Sequence, residues 1–393
     1  MNKQTIDNIN MEELGQRLRD AREKRGLNQS DAAEIIGVSR TTVVAIEKGE
    51  RRVKAIELAK LASAYGRDVS DFLLNNSHYN LADIQFRAPE ELTADEEFAE
   101  DTRREFVELC QHYFELEKLM GVEANYNYPR PYSVQHLSIH QAAEVIASKE
   151  RIRLGLDDKP ISDLRDLLEN EVGLRVFFLA MPTDIAGMYF YTDMLGGCIA
   201  INRKHPAERQ RWSLAHEYNH FLVDRYQTDI TIFHSGGYVI KSSSERIADA
   251  FAKYFLLPQS SVTMRFEALA SESGGRLSPA GLCTIANEFG VSVEAMVNRL
   301  EGERLIATGK YDELKERGFK PRKVQEKLGL EPVSERFDVV PLRLKRLAIE
   351  AFRSGQIDEQ QFAYYLGLGS DIVEARAVAA ATFGDSAGVF DLL

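Results

Sequence analysis

The residues of this chain best placed to do chemistry are His216, Glu217 and His220, within the run Trp212 to Phe221, W-S-L-A-H-E-Y-N-H-F. Positions i and i+4 of an α-helix project from one face, so two imidazoles can reach a single metal ion while the carboxylate between them lies beside its open coordination position. Zinc suits this donor set. It lowers the pKa of water bound to it to about 7, and a neighbouring carboxylate can take the proton as an amide carbonyl is attacked. Peptide hydrolysis is therefore the expected chemistry, with Glu217 as general base. Leu214, Ala215, Phe221 and Leu222 surround the polar face with apolar positions, as a helix on the floor of a cleft requires.

A catalytic zinc site needs a third protein ligand and an open fourth position. A metzincin continuation would place glycine at 223 and histidine at 226; the chain has Val223 and Tyr226, which excludes that subclass. Downstream, Ser244 to Leu257 reads as a helix with Ser244 as its cap and Pro258 just past its end. Glu245 and Asp249 share one of its faces, and Ile247, Ala248, Phe251, Ala252 and Phe255 form its packing stripe. Either carboxylate is available to the metal. His234, beside Ser235-Gly236-Gly237, reads as a loop residue, and the remaining histidines show no metal spacing.

The combination L-A-H-E-x-x-H followed by E-x-x-A-D-x-F-A-x-x-x-L-x-P resembles the ImmA/IrrE group of bacterial metallopeptidases, whose characterised members cleave helix-turn-helix repressors. The likeness runs from roughly Ile139 to Leu305 and includes the segments Arg151 to Leu168, Gly197 to Asn202 and Phe289 to Leu300. It implies a zinc-dependent metalloendopeptidase of zincin-like fold, with zinc held by His216, His220 and Glu245 and with Glu217 as base. Asp249 then becomes an outer partner that accepts a hydrogen bond from a ligating imidazole and fixes its tautomer. The β-rich run Cys198, Ile199, Ala200 and Ile201 is expected at a sheet edge beside the metal helix, where an extended substrate can add by main-chain hydrogen bonds. The alternative is an interior strand.

The elements ahead of this region read differently. Leu14 to Arg25, Asn28 to Gly37, Arg40 to Lys48, Lys54 to Tyr65 and Val69 to Leu74 form a pattern of five short helices. The spacing of Gln29, Ala33, Gly37, Val43 and Ile46 is that of a helix-turn-helix, with Gly37 at the tight turn. The phrase L-N-Q-S-D-A-A-E-I-I-G-V-S-R-T-T-V-V-A-I-E-K-G-E resembles the Xre type, the Cro-like and lambda-repressor-like domains. That resemblance implies Arg40, Thr41 and Val44 on the surface facing major-groove base edges, with Gln29 and Ser39 near phosphates. An arginine fork suits the O6 and N7 of guanine. In the loop Lys48 to Lys54, Arg51 and Arg52 are expected to hold phosphates and set register rather than sequence. The alternative is a solvated loop on a protein-binding helical module.

Thr93 to Met120 reads as one long helix, and Gly121 to Ser133 as a connector rich in tyrosine and proline. Ser278 to Leu300 and Asp358 to Arg376 look like two further helix, turn, helix units. They lack a basic face, which favours intramolecular packing. The expected organisation is 1–75 DNA-binding, 76–133 linker with a long helix, 134–305 metallopeptidase and 306–393 a helical C-terminal region. The fold class is α+β, mostly helical, with a small sheet in the zincin-like part.

Charge constrains the partners. Residues 1–75 carry 13 Lys/Arg against 12 Asp/Glu, while the rest carries 36 against 49, for a net charge of −12. An acidic body repels DNA at long range, so affinity for a double-stranded operator must come from local cations and homodimer avidity, with steep salt dependence. Cys110, Cys198 and Cys283 are isolated, and no apolar run reaches membrane-spanning length. A cytoplasmic protein with no membrane partner is expected. The combined expectation is a DNA-binding regulator carrying a zinc peptidase that cuts a partner regulator or its own chain. The competing expectation is a repressor or antitoxin-like autoregulator whose zincin part is a sensor or docking surface.

Overall fold

A computed structural model describes residues 11–25, 27–65, 69, 72, 94–122, 126–226, 231–234, 242–331, 338–368, 373 and 375–377. The chain divides into two compact units, Met1–Asp83 and Ile84–Leu393. The fold is α+β and mostly helical, and no described helix is long and apolar enough to cross a membrane.

In the first unit, α1 (Met11–Lys24), α2 (Gln29–Ile36), α3 (Arg40–Glu47) and α4 (Ala55–Tyr65) enclose one small core. Asn28 opens α2 through a reciprocal capping box with Asp31, and Gly37 closes it in the left-handed region at φ 71°. Ser39 then caps α3 by accepting from the Thr42 amide. Leu14, Leu18, Ala33, Val43, Ile46 and Leu61 are buried between the helices. Closest approach falls at Gly15, where an added Cβ would stand 2.5 Å from the Ile46 carbonyl. That tight contact brings α1 against the end of α3. The expected fifth helix, Val69 to Leu74, lies almost wholly outside the described residues.

The second unit is built on a four-stranded sheet of order β1 (Arg175–Leu179), β3 (Gly196–Asn202), β2 (Ile185–Thr192), β4 (Thr231–His234). β3 pairs in parallel with β1 and antiparallel with β2, and β2 pairs antiparallel with β4. Cys198, Ile199, Ala200 and Ile201 therefore lie in an interior strand, which overturns the expected substrate edge. The physical reason is that neighbours on both sides already use the main-chain groups of β3, and all seven of its residues are buried. His234 likewise belongs to β4, opposite Ile185, and not to a loop.

The helix α5 (Ala94–Leu119) packs on this sheet: Phe106, Val107, Cys110 and Leu116 are fully buried, and the Phe106 ring meets Phe177 and Phe190 edge-on. Its Glu117 accepts from Arg175 of β1 and pairs with Arg343. The long helix thus belongs to the body of the second unit. α6 (Ile139–Arg153) and the short α7 (Leu164–Leu167) precede the strands. After β3 comes α8 (Ala207–Val223), which carries the histidine motif, and after β4 comes α9 (Ser243–Leu256). α10 (Gln259–Glu272), α11 (Pro279–Glu288) and α12 (Val293–Gly302) join the same core. The final helices are α13 (Lys310–Glu316), α14 (Pro321–Lys327), α15 (Leu342–Arg353) and α16 (Glu359–Tyr365).

Candidate metal centre and recognition surface

α8 is buried almost from end to end, and its Leu214, Phe221 and Leu222 pack into the core. This burial leaves its polar groups dependent on one another. His216 Nε2 and His220 Nε2 stand 3.2 Å apart, and Glu245 bridges them, Oε2 at 3.2 Å from the first and Oε1 at 3.3 Å from the second. A tetrahedral ion bound through nitrogen and oxygen at about 2.0–2.1 Å would hold its donors roughly 3.3–3.4 Å apart. The three donor atoms fit that triangle. His216, His220 and Glu245 also form a group of potential ligands within reach of one ion.

α9 brings Glu245 to this place through its N-terminal cap. Ser242, rather than the expected Ser244, accepts from the Glu245 amide, so the helix begins earlier and Glu245 falls in its first turn, where the helix dipole favours an anion. Ser244 is thereby released to donate to Asp224, while its oxygen lies 3.4 Å from His220 Nδ1. Asp249, one turn along α9, stands 3.0 Å from His216 Nδ1. Asp224 stands 3.4 Å from His220 Nδ1. Each imidazole therefore turns Nε2 to the common point and Nδ1 to its own carboxylate, which fixes its tautomer and orientation. Sequence reasoning missed Asp224. Its signal was a second i+4 step, from His220 to Asp224, after the one from His216 to His220.

Electrostatics follow from this packing. Burial opposes charge on His216, yet its bonds to Asp249 and Glu245 outweigh that and raise its pKa. Burial likewise works against charge on His220, whose bonds to Asp224 and Glu245 lift it to about 10. Glu245 is pushed up by burial and pulled further down by the two histidines, so its carboxyl ends well below the usual carboxylate range. Glu217 is wholly buried, and burial raises it to about 7 against the pull of His220 and His216. Among the described residues neither of its oxygens has a hydrogen-bond partner. An orphaned carboxylate beside three converging donors is the feature a bound ion and its water would satisfy. Room for it comes from Gly187 of β2, where a Cβ would stand 2.8 Å from Glu217 Oε1.

Four tyrosines of this unit, Tyr189, Tyr191, Tyr218 and Tyr254, have hydroxyls of the kind that stabilise an oxyanion, and they are placed differently. Tyr218 donates to Glu150 and accepts from Arg153, inside a buried network that includes Tyr132. Tyr191 donates to Asp193, Tyr254 lies against Arg299 and Lys253, and Tyr189 is enclosed in the core.

On the first unit, Ser39, Arg40 and Thr41 are exposed and Val44 is half-buried on α3. Gln29 instead donates to Glu47, which also pairs with the buried Arg22 at 2.6 Å. Arg51 makes a two-pronged contact with Glu57, at 3.0 and 2.9 Å, while Arg52 is exposed.

With both surfaces described, comparison with known proteins gives the class. A model of the helix-turn-helix family matches residues 18–72, and one of the IrrE N-terminal-like domain matches residues 169–301. An uncharacterized HTH-type transcriptional regulator of Methanothermobacter thermautotrophicus is 39% identical over 51 residues, 13% of this chain and 74% of that protein. The cryptic phage CTXphi transcriptional repressor RstR of Vibrio cholerae is 38% identical over 65 residues, 16% of this chain; the match spans only 58% of the repressor. The crystal structure of Bacillus thuringiensis PlcR in complex with the peptide PapR7 and DNA aligns over 95% of this chain and 100% of that one, at 13% identity and a TM-score of 0.16. The chain belongs to the helix-turn-helix transcriptional regulators of Xre type, and its second unit carries an IrrE N-terminal-like domain.

Proposed function

We propose that this protein is a DNA-binding regulator whose second unit is a zinc-dependent metalloendopeptidase, acting on a partner regulator or on its own chain. The observation that carries the reading is the triangle of His216, His220 and Glu245 with the buried, unpartnered Glu217 beside it. Zinc held there would supply Lewis acidity, polarising a peptide carbonyl and acidifying water. Glu217 takes the proton from the attacking water and returns it to the leaving amine. Its raised pKa suits both halves of that exchange near neutrality. Asp249 and Asp224 hold the two imidazoles in place. A site that served structure alone would have no need of an unpaired acid in its wall.

The helix-turn-helix, with Ser39, Arg40, Thr41 and Val44 forward, supports binding to a double-stranded operator, and a two-fold operator would be met by a homodimer. Gln29 donates to Glu47 and Arg51 to Glu57, so any phosphate contact of theirs competes with partners inside the unit. The test is incubation of zinc-loaded protein, alone and with the product of the neighbouring gene, followed by mass measurement. New fragments that vanish in Glu217→Gln support hydrolysis; fragments persisting in that variant would overturn it.

A further inference from the structure

A groove of about 680 Å³ opens beside the metal centre, between α8, α9, α12 and the start of α6. Its place follows from the pairing of α8 with α9. His220 faces Glu245 and His216 faces Asp249, so the two helices run antiparallel, and the next residues along the same faces are Trp212 and Lys253. Both line the groove, as does Asp249 itself. The groove therefore begins one helical turn, about 5 Å, from a metal ligand.

Its chemistry narrows the occupant. Half-buried Trp212 and Ile139, with the small Ala250 and Ala295, give the lining its apolar part. Charged groups at the rim balance: Arg209, Arg246 and Lys253 stand against Glu208, Asp249 and Glu294. A strongly anionic ligand such as a nucleotide would meet as many carboxylates as cations. An extended peptide with one large apolar side chain meets partners for its body and its ends. Volumes of about 300–1,000 Å³ enclose ligands of that size.

Resting on the peptidase reading, we infer that this groove is a subsite seating a bulky apolar side chain, aromatic or leucine-sized, of the peptide whose bond lies at the metal. Trp212 is the only tryptophan in the chain, so its emission reports occupancy without any cleavage.

The test titrates the full-length, zinc-loaded Glu217→Gln protein with acetyl-Gly-Xaa-Gly-Gly-amide, where Xaa is phenylalanine, leucine or glycine, while Trp212 emission is recorded. Saturable changes are expected with phenylalanine and leucine, and about tenfold weaker binding with glycine, from burial of the side chain. Ala295→Phe should fill the groove and abolish that preference with zinc stoichiometry unchanged. Equal titration by the glycine peptide, or wild-type titration in Ala295→Phe, would overturn the subsite. The two readings fail separately. Cleavage by the unmodified protein that ignores both the side chain and position 295 rejects the groove alone, whereas selective, Ala295-sensitive binding in a protein that cuts nothing rejects hydrolysis alone.

Discussion

The recognition helix α3 and the metal helix α8 present opposite solutions to placing polar side chains. α3 is eight residues long, and its Arg40 and Thr41 point into water with only local partners. α8 buries His216, Glu217 and His220, and every charge or proton there is set by a neighbour on another turn or another helix. The difference lies in desolvation. An exposed group can be substituted with little structural cost, whereas removing one member of a buried cluster leaves another uncompensated. Changes at α8 should therefore give near all-or-none effects, and changes at α3 graded ones.

The largest expected effect is loss of the ion itself. His216→Ala or His220→Ala should abolish stoichiometric zinc, read by elemental analysis after dialysis; full zinc in both would dismantle the site. Glu217→Gln should keep zinc and lower peptide hydrolysis by a factor on the order of 10² or more.

Next come the carboxylates behind the imidazoles. Asp224→Asn and Asp249→Asn should each weaken zinc by about 10–100-fold in a chelator competition. Unchanged affinity in Asp224→Asn would make its contact with His220 incidental.

Acidity offers a third probe. A raised carboxyl is protonated below its pKa, so hydrolysis should rise with pH along a limb at or below about 7, the value of Glu217 without metal. His220, lifted to about 10, carries a proton at neutral pH that an ion must displace. Zinc binding should release protons and tighten as pH rises, measurable by calorimetry in buffers of different ionisation enthalpy. A rate that climbs from pH 7 to pH 5 would remove Glu217 as the base.

On α3 the effects should be smallest and selective. Arg40→Ala should cost about 1–3 kcal/mol at one base position. Arg51→Ala should change affinity little, because its fork is occupied by Glu57. Uniform loss across sequences in Arg40→Ala would make it a phosphate contact.

What the sequence disclosed follows the range of each interaction. The histidine pair and the glycine at the α2 turn are local, within a few residues, and their spacing alone displays them. Asp224 obeyed the same i+4 rule and was passed over because Glu245 and Asp249 already supplied carboxylates. Three consecutive serines, Ser242, Ser243 and Ser244, all satisfy a capping pattern, so the start of α9 had no unique local signature. The strand Cys198 to Ile201 failed for a different reason. Its position depends on R-V-F-F-L at 175–179 and I-A-G-M-Y-F-Y-T at 185–192, two runs left unread; an unbroken apolar strand without alternation signals an interior place. The Gln29–Glu47 and Arg51–Glu57 pairs likewise arise from tertiary packing that no spacing records.

Gly187 gives the site a test of its proposed base. The space a methyl group would take is the space Glu217 occupies, so strand and base share one slot. A side chain there would press first on that carboxylate and on Ile201 of β3. A single change at 187 would thus leave the metal-binding signature intact and disturb its proposed base from 29 residues upstream of His216, about 100 Å of fully extended chain, at a position no ligand pattern would flag.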